Sequence, residues 1–192
     1  MNHSLFNIKN IYIHTIVCFL LSNFINAQLS KGDYINASIG YGIGVPGDKT
    51  SITGNGFYAQ GEYVHSISRW FSVRPYAGII LVSGNNDNSQ QYQYDYHVTT
   101  KALLLGGKVR ISAPIPYVAP YFEIGLGASI GSFETYTPLT DIKKSGIISH
   151  IPISLGLALG RNHKFDFAFT YYSHQSVKQF SGAAAIGFSF PL

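Results

Sequence analysis

From residue 35 to residue 192 the chain alternates between large apolar side chains and small or polar ones, in eight separate runs. In the first, Ile35, Ala37, Ile39, Tyr41 and Ile43 oppose Asn36, Ser38, Gly40 and Gly42. Runs of the same kind follow at 57–63, 71–81, 103–111, 118–131, 150–159, 165–172 and 180–192. A period of two marks a β-strand whose two faces meet different surroundings. No helical period of useful length appears, so the chain reads as all-β. The connections alternate in length. Short turns are expected at 65–69, 112–116 and 160–164, and longer Gly-, Asn-, Asp-, Ser- and Lys-rich loops at 44–56, 83–97 and 132–149, with a shorter one at 173–179.

The contents of the two faces decide which one meets water. A soluble sandwich or ligand-carrying barrel buries its large apolar side chains and shows charge outside. Here only 11% of residues are charged, against about 25% in an ordinary soluble domain. The face opposite the apolar one is mostly Gly, Ser and Ala with a few charges, which suits a narrow lumen better than a solvated surface. The apolar face therefore points to lipid and the small, polar face inward. Hydrocarbon leaves no backbone donor or acceptor without an internal partner, so the last strand must pair with the first. The expected fold is an eight-stranded antiparallel up-and-down transmembrane β-barrel. Tyr34, Phe57, Trp70, Phe71, Tyr117, Phe165, Tyr171 and Phe180 would form its interfacial aromatic girdles. Leu155, outward and near mid-membrane, should not tolerate Arg, whereas Gly156→Ser, facing inward, should be milder.

Residues 1–27 differ from the rest. A weakly basic start (Lys9) leads into an apolar stretch at 11–24 and then Ala27, the pattern of an export signal cleaved after Ala27. The barrel domain then covers 28–192. The single cysteine, Cys18, lies within the signal, and Val17 before it does not suit lipidation. The remaining chain thus has no cysteine chemistry. The net charge of +4 is spread along the chain with no Lys/Arg stripe, so nucleic acid is not an expected partner.

The stretch PYFEIGLGASIG (120–131) and the closing AAAIGFSFPL (183–192) resemble the small eight-stranded outer-membrane β-barrels of Gram-negative bacteria, of the OmpA/OmpX or porin-like type. The resemblance covers the whole chain after residue 27. It implies a location in the outer membrane, contact with its lipid, and recognition of the last strand by the insertion machinery. Ile186, Phe188 and Phe190 fit that terminal pattern, with Pro191 and Leu192 extending beyond the aromatic. The family includes anchors, adhesins, lipid-modifying enzymes and narrow pores, so the fold leaves function open.

Three groups of residues have the chemistry for a site. Inward Glu62 and Arg74 are expected to face each other, as are Lys108, Arg110 and Glu123, forming either an ion path or a salt-bridged plug. His174 and Ser176 resemble part of the lipid A deacylase barrel site, in which His takes the Ser proton and a carboxylate orients the His. Asn does not follow the Ser here and no Glu occurs after Glu134. Glu134 or Asp141, folded over the mouth by the 132–149 loop, would have to supply the acid. Inward His150 and His174 should face each other, but two ligands do not make an ordinary metal site. The expectation is no catalytic set, no metal and no cofactor. The leading reading is a non-enzymatic outer-membrane barrel with a structural or surface-interaction role, the alternatives being a lipid A deacylase-like enzyme and a small pore. The loop partner is left open.

Overall fold

A computed structural model describes residues 32–46, 53–85, 97–138, 140–174 and 179–192. The proposed signal and Ser176 lie outside the described residues. Eight strands follow in order: β1 (Asp33–Pro46), β2 (Gly54–Ser66), β3 (Phe71–Asn85), β4 (His97–Ser112), β5 (Val118–Thr137), β6 (Thr140–Leu159), β7 (Phe165–His174) and β8 (Gln179–Pro191). Each pairs antiparallel with the next, and β1 pairs with β8 from Tyr34↔Pro191 to Pro46↔Gln179, so the sheet closes into a barrel. Every backbone ladder has a neighbour within the wall, as hydrocarbon demands.

Burial follows the alternation read from the sequence. The outward sides of β6 and β7 carry Leu155, Leu157, Phe165, Phe167 and Phe169, all exposed, while Ser154, Ala158, Asp166 and Thr170 are buried within. The turns joining β2 to β3, β4 to β5 and β6 to β7 are short and lie at one rim. In the last, His163 and Gly160 both take positive φ (50° and 92°), the conformation that reverses the chain tightly.

The structure departs from the sequence reading in three places. Residues 132–137 and 140–149 are strand and not loop. β5 and β6 continue as a hairpin, from Ser132↔Ser145 through Glu134↔Lys143 to Thr137↔Thr140. Phe133, Thr135 and Thr137 keep the period of two there, and β-branched and aromatic residues suit a strand; the polar character of the segment had hidden this. Tyr34 belongs to the inward set with Asn36, at the rim, and not to the outer girdle. Phe57, Trp70, Tyr117, Phe165, Tyr171 and Phe180 are exposed as a girdle requires. The lumen is also less polar than expected. Ile80, Val82, Leu104, Phe133 and Ile148 point inward and pack with Tyr58, Tyr76 and Tyr172. For β3 and β4 their signal was a break in the alternation, with four apolar residues in succession at 79–82 and at 102–105.

Candidate functional site: the filled lumen

The inward side chains form two layers. The layer nearer the short turns is ionic. Glu62 accepts from Arg74 Nε at 2.5 Å and Lys108 Nζ at 2.5 Å. Glu123 accepts from Lys108 Nζ at 2.8 Å and Arg110 Nε at 2.6 Å. Arg110 Nη1 continues to Asp166 Oδ1 at 2.8 Å, and Asn36 Nδ2 donates to the other Asp166 oxygen at 2.8 Å. All six charged groups are buried. Three cations, Arg74, Lys108 and Arg110, thus meet three carboxylates, Glu62, Glu123 and Asp166. A neutral cluster of short charge-assisted hydrogen bonds is the arrangement in which buried charge is tolerated.

Register explains how the cluster assembles. Arg110 and Glu123 are direct partners between β4 and β5, and Arg74 and Lys108 between β3 and β4. Glu62 faces Tyr76 on β3, not Arg74. It reaches Arg74 along the diagonal, which long side chains span. The sequence reading brought Glu62, Arg74, Lys108, Arg110 and Glu123 to the lumen as two separate groups; the structure joins them through Lys108 and extends them to Asp166. Asp166 shares the inward parity of Ala168 and Thr170 on β7, but nothing in the sequence pairs it with Arg110, because it lies far along the chain and only closure of the barrel brings the two together.

Glycines make room for the rings between these charges. Tyr121 lies under Arg110, whose guanidinium carbon is 3.5 Å from the ring centroid. The space left in this layer is about 20 Å3, no more than one water occupies.

The second layer is aromatic and imidazole. His150 and His174 do face each other, with ring centroids 5.6 Å apart. Ser129 from β5 lies between them, its Oγ 2.7 Å from His150 Nδ1 and 2.9 Å from His174 Nε2. Tyr76 OH sits 2.5 Å from His150 Nε2. Tyr172 OH donates to Gln60 Oε1 at 2.8 Å, and Gln60 Nε2 donates to Glu62 Oε1 at 2.6 Å, which ties this layer to the ionic one. Ser129 was missed from sequence because a lone Ser in a Gly-rich strand carries no signal of its own.

This layer does not assemble a hydrolytic site among the described residues. His174 Nε2 is taken by Ser129, and Ser129 is itself fully buried. Glu134 is held by Lys143 at 2.7 Å and lies 3.6 Å from His97, on the outward side of the hairpin. Asp141 stands opposite Tyr136 on the same ribbon. Neither carboxylate is folded over the mouth. No group of three or more His, Cys, Asp or Glu side chains is placed to hold a metal among the described residues.

No protein-family model matches this chain, and no curated protein does. Solved structures do. Neisserial surface protein A aligns over 84% of this chain and 97% of its own, with a TM-score of 0.58 at 14% identity. The outer membrane protein OprG from Pseudomonas aeruginosa aligns over 86% of this chain and 99% of its own, with a TM-score of 0.53 at 12% identity. The chain has the fold of the small outer-membrane β-barrels. At such low identity the likeness lies in the wall and not in the side chains that fill it. Among small outer-membrane-type barrels an eight-stranded lumen has room for side chains and little else, and in this one the filling is the two-layer network just described.

Proposed function

We propose that this chain is a non-enzymatic integral outer-membrane barrel, exported by its N-terminal signal, that keeps its lumen shut and presents the β5–β6 hairpin beyond the membrane as a surface for partners. The observation that carries the reading is the charge-neutral cluster of Glu62, Arg74, Lys108, Arg110, Glu123 and Asp166, which spans the lumen with about 20 Å3 to spare inside a wall of exposed apolar side chains. Opening an ion path would separate pairs 2.5–2.8 Å apart in surroundings that screen poorly. The same filling argues against catalysis, since among the described residues no nucleophile with a paired base and acid opens to a cleft. The alternating apolar residues of β8, ending in Phe190, support recognition by the insertion machinery.

Heat-modifiable gel migration of the membrane fraction tests the barrel. Planar-bilayer recording and the mass of lipid A from expressing cells test the rest. The expected results are a heat-dependent shift, no steady conductance above baseline, and unchanged lipid A acylation. A steady single-channel current would favour the pore, and loss of an acyl chain the enzyme.

A further inference from the structure

The imidazole layer holds titratable groups that neither the closed wall nor the ionic layer requires. His150 and His174 share one serine hydroxyl, that of Ser129, and all three residues are buried. Ser129 has one proton to give, so between two neutral rings it donates to one and accepts from the other. The bonds can then run from Tyr76 O–H to His150 Nε2, from His150 Nδ1–H to Ser129 Oγ, and from Ser129 O–H to His174 Nε2. That order leaves His174 Nδ1 without a hydrogen-bond partner among the described residues. The reverse order leaves the same atom unpaired and strands the Tyr76 proton as well. Buried polar groups favour the order with fewer orphans, which is the first.

The surroundings set how much charge this pair can carry. Tyr76 faces it from β3, Phe133 from β5 and Tyr172 from β7. Tyr58 on β2 stands behind Tyr172, and Gln179 on β8 is the register partner of His174. None of these is a carboxylate. Glu62 is linked to the pair through Gln60 and Tyr172 alone, and Arg74 and Lys108 already hold it. From β4 the charge that approaches is a cation, Lys108 Nζ, 5.4 Å from the Tyr76 ring centroid.

One added proton fits this arrangement, because Ser129 or Tyr76 can turn from donor to acceptor. A second would put cations on rings whose centroids are 5.6 Å apart, in surroundings that screen poorly and offer no counter-charge in contact.

We propose that His150, Ser129 and His174 form a proton-operated lock on the long-loop half of the lumen. The unit shares at most one proton while the barrel is closed. A second drives the rings apart and breaks the Tyr76–His150 bond, which ties β3 to β6 across the lumen. In acid the unfolded chain binds two protons at these positions and the closed barrel one. Stability is therefore fully present above the ordinary imidazole range, about pH 6.5, and falls as the pH drops below it. The carboxylates of the ionic layer ordinarily take up protons only below about pH 4.5, so the imidazole layer loosens first.

The test is urea unfolding of the barrel in lipid vesicles at about pH 7 and about pH 5, the range in which histidine changes charge. Wild type is compared with His150→Gln, with His174→Gln and with the variant carrying both. The double variant is the baseline, since it keeps His65, His97 and His163. Relative to it, acidification should move wild type roughly tenfold further toward the unfolded state, the worth of one withheld proton. Each single variant keeps one ring, which takes its one proton in both states, and should follow the baseline. A wild type that follows the baseline overturns the inference. Single variants that each keep half of the wild-type shift in unfolding free energy also overturn it, because the rings then act separately. If a variant shows no heat-dependent gel shift, nitrogen NMR spectra of the histidine rings in the folded wild type decide. The expected result is one proton held by the two rings together at about pH 5. Two protons, or none, in a folded barrel overturns the shared lock.

Discussion

Tyr121 and Gly156 are register partners on β5 and β6, and the Tyr121 ring fills the space a side chain at 156 would take. A Cβ built on Gly156 would lie 2.4 Å from the Tyr121 hydroxyl oxygen and 2.6 Å from the Phe167 carbonyl oxygen. Because Arg110 stacks on that ring, the absence of a side chain at 156 helps hold the ionic layer in place. A small polar residue here therefore carries a steric cost that its inward position alone does not reveal, though one still milder than a charge on the lipid face. Gly156→Ser should destabilise the barrel by about 1–3 kcal/mol, the usual range for overpacking a filled interior. Urea unfolding in lipid vesicles measures it, and an unfolding curve that coincides with wild type would show that the ring moves aside freely.

On the outer face the penalty has a different origin. Leu155 is 63% exposed, and its exposure is to lipid. Leu155→Arg should cost about 2–4 kcal/mol near the bilayer midplane and slow insertion into vesicles. Equal folding yields for Leu155→Arg and Leu155→Ile would refute the outward assignment.

Glu62 supports two cations at once, so losing its charge should cost more than breaking a single pair. Glu62→Gln leaves Arg74 and Lys108 sharing Glu123, and disrupting such a buried pair typically costs about 3–5 kcal/mol. Removing one charge of each sign restores neutrality. Glu62→Leu with Arg74→Met should therefore recover much of the stability while Lys108 keeps Glu123. A double mutant whose loss equals the sum of the two singles would mean the residues are not coupled.

Gly127 plays the role of Gly156 in the imidazole layer. A Cβ there would lie 2.3 Å from Tyr76 OH and 2.5 Å from His150 Nε2, the two atoms that bond each other. Gly127→Ala should separate them and destabilise the barrel by about 1–3 kcal/mol. Tyr76→Phe removes only the hydroxyl, at about 0.5–1.5 kcal/mol for one hydrogen bond. With the hydroxyl gone the alanine has more room, so Gly127→Ala should cost less in the Tyr76→Phe background, and an unchanged cost would place the obstruction elsewhere.

The sequence by itself determined the wall. Alternation fixes which side of each strand is apolar, and the low charge of the chain assigns that side to lipid; from these follow the strand number, the antiparallel order and the closure, because hydrocarbon leaves no other way to satisfy the backbone. It also placed Glu62, Arg74, Lys108, Arg110, Glu123, His150 and His174 inward, since parity along a strand is a local property. Which inward residues touch is not local. Asp166 on β7 meets Arg110 on β4 only because closing the barrel superimposes residues whose separation in sequence carries no information about their distance across the lumen, and Ser129 comes between His150 and His174 because β5, β6 and β7 curve around the same lumen. The same holds for the glycines, where a missing side chain reads as a weak strand position until the ring that occupies its space, Tyr121 over Gly156 or Tyr76 over Gly127, arrives from another strand.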